Sequence, residues 1–511
     1  MAVLHKWPAL SSFKAPDIVK HPFRPVYLLG FLLLCVAGVL GAATPILVDL
    51  MGGSLSKLMA LPAAILFGLF IIYDRKLTLL MIIVFRASGD TVLELTRFSV
   101  GGYAVGVGGV INAMVILLAM LLVFEKPSLV PRCGYMAWVP FLLVTMLGVV
   151  TSPERGEAAR LFLTQVSYFA VFVGGYYCVR SAQDFRALMK LMLWSSVIPV
   201  LYSCYVIVSV KLAVGGEFRL RGTFGHPNVM AFYMTVIIGV AFYLLKTTQA
   251  TTPTRARVGL VLYLLVLLVM LMLTKTRSAW TATGLAFGLY ALLFERRYLI
   301  YMAVLGVLAL FIPGVGDRLA DLGQGNQVSI YSNLNSFAWR VYLWESAIAW
   351  MSPLSFVIGN GLQSFVKYSI VFFPIAGKTS WGAHSVYVQL LFEMGVLGLT
   401  AFAWLGYSLL RQLAPGYKID KLACYTLGVM LINLLVCSIS DNMFYYLSYN
   451  WYLWFAIGAG CALFRLAPAA GPVHVHGHAH VAGYPGAAHH TGAVFQPSAV
   501  QRPVAPVRPL R

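Results

Sequence analysis

Residues 257–294 read RVGLVLYLLVLLVMLMLTKTRSAWTATGLAFGLYALLF, which is two apolar runs joined by the polar segment Thr-Lys-Thr-Arg-Ser at 274–278. Each run approaches the roughly 20 residues that an α-helix needs to cross the hydrocarbon core of a bilayer. The link between them is short and cationic, as expected of a loop at a membrane surface. This stretch therefore predicts two neighbouring membrane spans.

The rest of the chain has the same character. Of its 511 residues, 60% are hydrophobic and 11% are charged, with a mean hydropathy of +0.82, whereas soluble domains average about 25% charged residues. Further runs long enough to cross lie at 26–44, 57–73, 103–124, 135–151, 161–179, 187–210, 229–245, 298–313, 384–410, 421–439 and 446–464. A weaker run from Leu77 contains Arg86 and either spans or dips in and returns. We predict an all-α polytopic membrane protein with about 12 to 14 transmembrane helices.

The positive charge of the chain indicates its orientation in the membrane. The formal net charge of +20 comes from short clusters between apolar runs, not from one basic face as in a nucleic-acid-binding protein. If the N-terminus is cytoplasmic and the chain crosses fourteen times, well over half of the 37 Lys and Arg residues fall on the cytoplasmic side. This asymmetry favours two cytoplasmic termini. A twelve-span variant stays open, and nucleic acid is not an expected partner.

The spacing of the apolar runs divides the chain into five regions. We expect a cytoplasmic N-terminus, a transmembrane bundle, a long external loop, C-terminal transmembrane helices and a His/Pro/Ala-rich cytoplasmic tail, at 1–25, 26–313, 314–383, 384–466 and 467–511. Within the loop, the aromatic segment Ser336 to Met351 is predicted to form a helix on the membrane surface. The tail cannot bury enough apolar surface to fold, so we expect it to be disordered. Its alternating histidines are read as a low-complexity accessory. The sequence predicts neither a metal site nor a cofactor.

Three of the predicted helices begin on the same outer side beside groups that carry or can acquire positive charge. These are Arg221 and His226 with Asn228 before 229, Lys275 and Arg277 before 279, and His384 with Ser385 at 384. Helix N-termini bind anions, and phosphate groups in particular, through free N–H groups and the helix dipole. Two simpler interpretations stay open. Lys275 and Arg277 could only extend their charged ends to the aqueous interface, and the His-Pro-Asn segment could only start a helix. Lys275 and Arg277, however, lie on the side where cations are under-used.

His384 is the strongest candidate for a general base. A helix N-terminus disfavours the imidazolium form, which keeps the ring neutral and able to accept a proton. Glu393 is nine residues further on, so a continuous helix would place it on the opposite face and roughly 13 Å away. It therefore cannot be the direct partner of His384. We expect Glu393 to pair with a basic group or with backbone from another segment, and a structural role stays as open as a catalytic one.

Several of these segments resemble the motifs of one family. Residues 382–398, GAHSVYVQLLFEMGVLG, are similar to a signature in which a histidine leads a helix and a Glu-x-Gly-x-x-Gly turn follows. RGTFGHPN at 221–228, TKTRSAW at 274–280, and Trp344 with IGNGLQSF at 358–365 resemble further blocks in the order of the family. The family is that of the O-antigen ligases and Wzy-type polysaccharide polymerases. Ser385 stands where the family commonly has Asn, which leaves the contacts to the acceptor open.

The resemblance implies a GT-C-like glycosyltransferase of the bacterial inner membrane that needs no cofactor. It would move a glycan from undecaprenyl diphosphate to an acceptor sugar at the periplasmic face, with His384 as base and Arg221, Arg277, Arg340 and Lys275 holding the diphosphate. A ligase uses lipid A-core as acceptor, and a polymerase uses a second lipid-linked glycan. The ligase is the expected reading. The alternative from another class, a lipid-linked glycan flippase or transporter, would be expected to show an internal repeat and charges near the membrane midplane. The sequence shows no repeat, and its notable cations cluster at one face.

Reporter fusions test the predicted orientation. Alkaline phosphatase fused after Gln324 should be active, because the long loop is predicted to be periplasmic. Green fluorescent protein fused within the tail should fluoresce, because the tail is predicted to be cytoplasmic. A cytoplasmic location for both sites would contradict the charge argument.

Overall fold

A computed structural model describes residues 73–95, 98–100, 103–105, 107–209, 218–248, 253–312, 315–316 and 336–466. The predicted N-terminal segment, the predicted span at 26–44, nearly all of that at 57–73, and the tail lie outside these residues. So does most of the loop before Ser336. The regular secondary structure of the described part is helical, apart from one antiparallel hairpin in which strand β1 (Phe98–Val100) pairs with β2 (Tyr103–Val105).

Seventeen α-helices occur in the described part. In chain order, α1 to α17 are Arg75–Arg86, Asp90–Leu95, Val107–Glu125, Arg132–Val150, Arg155–Cys178, Ala182–Ser195, Val197–Ser209, Pro227–Lys246, Thr254–Leu273, Arg277–Leu293, Arg297–Ala309, Ser336–Trp350, Pro353–Ile358, Ser364–Phe372, Val386–Leu413, Lys421–Cys437 and Leu447–Leu466. Each predicted apolar run between 103 and 464 coincides with helix, usually within a few residues of its ends.

The fold class is confirmed. Seven described helical stretches are long and apolar enough to cross a bilayer: Val107–Glu125, Arg132–Val150, Arg155–Cys178, Ala182–Ser209, Pro227–Lys246, Thr254–Leu273 and Val386–Lys418. Shorter apolar helices occur at Arg297–Ala309 and Lys421–Cys437. The chain is therefore an all-α, multi-pass membrane protein. The count of 12 to 14 crossings stays a prediction, because two of the predicted spans lie in the first 73 residues.

Helix α17 lies at the centre of the bundle. Every residue from 448 to 464 is buried, and Trp451 donates its indole N–H to the hydroxyl of Ser167 on α5 at 3.0 Å. Gly175 and Gly458 allow the backbones of α5 and α17 to touch, because a β-carbon on either would collide with the other helix. By contrast, α9 and α11 expose many Leu, Val and Ile side chains, as expected of helices that face lipid.

The weak run from Leu77 forms the short helix α1. Its 12 residues cover roughly 18 Å, which is less than the hydrocarbon core of a bilayer. At its end, the buried Arg86 forms an ion pair with the partly buried Asp90 at 3.1 Å. The carbonyl of Ala87 accepts a hydrogen bond from the hydroxyl of Thr223 at 2.7 Å. The ion pair and this bond hold the end of α1 against the loop that precedes α8.

Helix α15 is folded back on itself at Gly395. This residue has φ 64° and ψ −162°, which interrupts the helix. A β-carbon on Gly398 would lie 3.2 Å from the carbonyl oxygen of Leu390, and the rings of Tyr387 and Phe402 are 6.0 Å apart. A straight helix would separate these two pairs by roughly 12 and 22 Å along its axis. The two parts are therefore antiparallel limbs, 386–394 and 396–413.

The run at 384–410 was predicted to cross the membrane as a single helix. The stretch Val386–Lys418 is long and apolar enough to cross, but the interruption at Gly395 divides it into two limbs. Only the second limb, about 27 Å long at 1.5 Å per residue, has the length of a span. The first limb runs from His384 to the turn in the opposite direction to the second. His384 therefore opens the first limb, not the limb that has the length of a span. It lies at the end of the first limb that is far from the turn.

The turn at Gly395 is fastened by the loop at 359–362. The amide of Gly361 donates to the carbonyl of Glu393 at 2.9 Å, and the amide of Leu362 donates to the carbonyl of Gly148 near the end of α4 at 2.8 Å. Gly359 has φ 78°, and a β-carbon there would collide with the backbone of Glu393. The segment IGNGLQSF and the Glu-x-Gly-x-x-Gly turn thus contact each other directly through backbone hydrogen bonds.

Helix α12 confirms the predicted helix from Ser336 within one residue, and its place on the membrane surface stays a prediction. It packs with α14 and the first limb of α15 around a small aromatic core. The buried members of this core include Leu343, Phe365, Phe372 and Phe392. We call this group of three elements the loop unit.

We predict that Gly395→Ala lowers the thermal stability of the protein. The methyl group would collide with the carbonyl of Val357, and a left-handed backbone costs about 1 to 3 kcal/mol for a residue other than glycine. Gly428→Ala is the matched control, because this helical glycine on α16 has open space around it. The measurement is the loss of the monomer peak of detergent-purified protein on heating. Equal midpoints for the two variants would contradict the fold-back at Gly395.

Candidate functional site

Helices α8 and α10 begin next to the connection between α16 and α17. This connection, residues 438–446, carries the buried carboxylate of Asp441. One oxygen of Asp441 accepts hydrogen bonds from the hydroxyl of Tyr446 at 2.6 Å and from the amide of Asn228 at 3.3 Å. The other oxygen accepts from the hydroxyl of Ser278 at 3.2 Å. Asp441 therefore joins the starts of α8, α10 and α17, and we call Asp441 with these three partners the polar hub.

Arg219 supports the hub from the loop before α8. Its Nε donates to the carbonyl of Thr274 at 3.0 Å, and one terminal nitrogen donates to Asn228 at 2.7 Å and to Thr276 at 3.1 Å. A guanidinium has several donors in a fixed plane, which suits it to holding three acceptors at once. Arg219 thus links the loops that lead into α8 and α10.

The start of α15 joins the same connection. Ser385 caps the helix, since its hydroxyl accepts from the amide of Val388 at 3.4 Å and also donates to the carbonyl of Ser438 at 3.3 Å. The amide of Val386 donates to that carbonyl at 2.9 Å. The structure therefore brings together the three helix starts that the sequence singled out.

His384 is held in an unusual conformation beside this meeting point. Its φ of 49° lies in the left-handed region, which few residues other than glycine adopt and which often marks functional positions. Its half-buried ring lies 6.0 Å from the ring of Trp339. Burial, together with the charge of Arg340, holds the pKa of His384 below its ordinary value of 6.5, and Asp441 opposes this shift. The imidazole is therefore neutral at pH 7.

His226 has a clear structural role. It caps α8, because its Nδ1 accepts a hydrogen bond from the amide of Asn228 at 3.1 Å. The residue keeps an exposed edge, yet desolvation of its ring and the charge of Arg219 hold its pKa below 6.5, with Asp441 acting in the opposite direction. A neutral ring is the form that can act as this acceptor.

The four cations proposed for an anion site lie in different surroundings. Arg277 is the first residue of α10 and donates to the hydroxyl of Ser336, the first residue of α12, at 2.7 Å. Arg340 is half-buried on α12 and close enough to His384 to influence its pKa. Lys275 is buried, with a left-handed φ of 52°, so it does not extend into water. Arg221 is exposed on its loop.

Glu393 supports the loop unit. Its carboxylate is buried and accepts from the side-chain amide of Gln389 at 3.1 Å and from the backbone amide of Phe365 at 3.4 Å. The sequence predicted such a contact to backbone from another segment. Because Glu393 lies beside the turn at Gly395, at the end of the limb remote from His384, this geometry favours the structural role.

Asp441 and Arg219 were not among the predicted site residues. Asp441 stands in the short polar link Ser-Asp-Asn between the runs at 421–439 and 446–464, which the charge argument places on the outer side. An acidic residue there, in a chain with only 17, is a signal that sequence reasoning could have used. Arg219 is two residues from Arg221, and nothing in the sequence distinguishes which of the two points inward.

Comparison with protein families gives the identity of the central part of this site. Residues 262–403 match the model of the O-antigen ligase family, Wzy_C. This segment is similar to the O-antigen ligases, and we call it the ligase domain. The match confirms the resemblance and makes the chain a membrane enzyme of the ligase or polymerase type. Comparison with curated proteins found no match.

The ligase domain contains only part of the site. Arg277, Arg340 and His384 lie inside the matched range, whereas Asn228 and Asp441 lie outside it. The hub is therefore built from one residue of the domain, Ser278, and from segments on both sides of the domain. Within the residues that the structure describes, no group of three or more His, Cys, Asp or Glu side chains is arranged to hold a metal ion.

We predict different outcomes for the two neighbouring arginines of the 219–228 loop. Arg219→Ala removes a charged donor from Thr274, Thr276 and Asn228, which should cost about 1 to 3 kcal/mol of stability. Arg221→Ala changes an exposed side chain and should stay within about 0.5 kcal/mol. Thermal unfolding of both variants in the same detergent tests this contrast. A larger loss for Arg221→Ala would contradict the assigned role of Arg219.

Proposed function

We propose that this protein transfers a glycan from undecaprenyl diphosphate to an acceptor sugar at the periplasmic face of the bacterial inner membrane. The observation that carries the proposal is the meeting of three helix starts around Asp441, with Arg277 and the neutral His384 beside them. Helix N-termini and a guanidinium suit a diphosphate. A neutral imidazole suits an acceptor hydroxyl. The same site thus offers groups that would bind the leaving diphosphate and a base that would accept the proton of the acceptor hydroxyl.

In the proposed step, the acceptor hydroxyl oxygen attacks the anomeric carbon of the donor glycan. The new C–O glycosidic bond forms as the bond from that carbon to the diphosphate oxygen breaks. The electron pair of the broken bond leaves on undecaprenyl diphosphate, and the proton of the acceptor hydroxyl moves to His384. The burial that lowers the pKa of His384 keeps the ring ready to accept this proton at pH 7.

Negative charge grows on the leaving diphosphate, so groups that bind it more strongly at that moment accelerate the step. Arg277 is the best placed of the proposed cations, because it begins α10 and already holds the first residue of α12. Arg340 on α12 and the buried Lys275 before α10 also lie within residues 262–403. Arg221 is exposed, so we assign it a smaller contribution to binding the diphosphate. Asn228, with its hydrogen bonds to Arg219 and Asp441, positions the start of α8.

The acceptor decides between two versions of the proposal. As a ligase, the protein would join the glycan to lipid A-core, which is the version we favour. As a polymerase, it would join the glycan to a second lipid-linked glycan and release a longer chain. Analysis of the products distinguishes them, since only the ligase attaches glycan to lipid A-core. A flippase would move lipid-linked glycan across the bilayer without forming a glycosidic bond.

The test uses purified protein in proteoliposomes with undecaprenyl-diphosphate glycan and lipid A-core. His384→Ala should reduce transfer by about 100-fold or more, the usual contribution of a general base. The wild-type rate should fall only below pH 6.5, where the ring becomes protonated.

Arg277→Ala should weaken donor binding and transfer by about 2 to 5 kcal/mol. Arg277→Lys keeps the positive charge but loses the planar guanidinium with its paired donors, so it should retain partial donor binding.

Lys418→Ala is the control, because Lys418 is an exposed cation on the connection between α15 and α16 and has no place in the proposed site. Its rates should equal those of wild type. Wild-type transfer by His384→Ala at matched protein levels would remove His384 from the reaction. Movement of the donor across the bilayer with no new glycosidic bond would replace the proposal with a flippase.

A further inference from the structure

The loop unit places two tryptophans next to His384. The ring of Trp339 on α12 lies 4.9 Å from that of Trp381 and 6.0 Å from that of His384. Both tryptophans are half-buried, whereas the core of the unit is filled by residues such as Phe365, Phe372 and Phe392. The tryptophans therefore lie at the edge of this core, on the side of the candidate base.

The indole N–H of Trp381 needs an acceptor. It is buried and has no hydrogen-bond partner in the described structure, whereas the indole N–H groups of Trp344 and Trp451 donate to Ala383 and Ser167. Buried donors without partners are rare in folded proteins, and each calls for an explanation such as a bound ligand or water. A hydroxyl brought to this edge of the unit would supply the acceptor.

The chain next to the pair is polar and accessible. Residues 377–380, Gly-Lys-Thr-Ser, are exposed and lead directly to Trp381. Arg340 follows Trp339 on α12 and is half-buried. Two indoles bordered by hydroxyl and cationic side chains have the chemistry that recognises a pyranose ring. Its C–H face packs on an aromatic surface while its hydroxyls bond to polar neighbours.

Tryptophans also commonly lie at the surface of the bilayer, where they anchor a protein in the membrane. An interfacial anchor turns its ring toward lipid and away from the protein's reactive groups. Trp339 instead has three ring neighbours, Phe373, Trp381 and His384, all within about 6 Å. Its position against the candidate base favours a sugar over a lipid.

We propose that Trp339 and Trp381 form a subsite for a pyranose ring of the acceptor glycan. The inference rests on the proposed function, because His384 receives the proton of the acceptor hydroxyl there. The sugar that carries this hydroxyl must lie beside His384, and the Trp339 ring is the surface found next to it. The pair would therefore set how the acceptor binds and leave the hold on the donor diphosphate to Arg277.

The first test varies the acceptor at saturating donor in the proteoliposome assay. Trp339→Ala should raise the KM for lipid A-core at least tenfold and change the donor KM by less than twofold. Trp339→Phe should recover part of the acceptor affinity, because it restores an aromatic face. Trp350→Phe is the matched control on the same helix, since Trp350 stacks on Phe392 at the other end of the unit. It should leave the acceptor KM unchanged.

The second test does not depend on transfer. Core oligosaccharide released by mild acid is added to purified protein, and saturation-transfer NMR reports which sugar protons touch aromatic rings. Wild type and the Trp350→Phe control should give signals that Trp339→Ala loses. Unchanged acceptor KM and unchanged NMR signals in Trp339→Ala would overturn the subsite while active wild type upholds the proposed function. If wild type transfers nothing, the proposed function fails, and the NMR comparison still decides the subsite.

Discussion

The backbone contact between the loop at 359–362 and the turn at Gly395 is the constraint on which the rest of the site depends. Helices seldom reverse at a single residue, because the chain must leave the α region and bring two helices close together. Gly395 permits the departure from the α region, and Gly398 permits the close approach of the two limbs. The amides of Asn360 and Gly361 then bond to the carbonyls of Phe392 and Glu393. With the turn fixed, the nine residues of the first limb determine where His384 lies.

The polar hub supplies the second constraint. A carboxylate buried among helices is costly unless hydrogen bonds satisfy it, and Asp441 receives them from three different segments. Each segment begins a helix, so satisfying one carboxylate also fixes the starts of α8, α10 and α17. Arg219 provides the matching positive charge in the loop beside them. The cost of burying this charge is thus offset by a defined geometry of the three helix starts.

The helices were predictable because apolar length is a local property of the sequence. Runs such as 229–245 and 257–274 lie within a few residues of α8 and α9. The fold-back in α15 was not predictable by that route, since residues 386–410 are apolar on both sides of Gly395. The reversal depends on a loop more than thirty residues upstream. The site shows the same division: the helix starts with His384 and Arg277 were predictable, whereas Asp441 meets Asn228 across 213 residues of chain.

The placement of the hub on both sides of the ligase domain has a consequence for building chimeras of such enzymes. A graft of residues 262–403 into a relative would carry Arg277, Arg340 and His384 with it. It would leave behind the loop of Arg219 and Asn228 and the connection that holds Asp441. The transplanted helix starts would then meet a foreign carboxylate and a foreign guanidinium. Exchange of specificity between such proteins should therefore move three separate pieces of chain together, and the matched segment alone is an incomplete module.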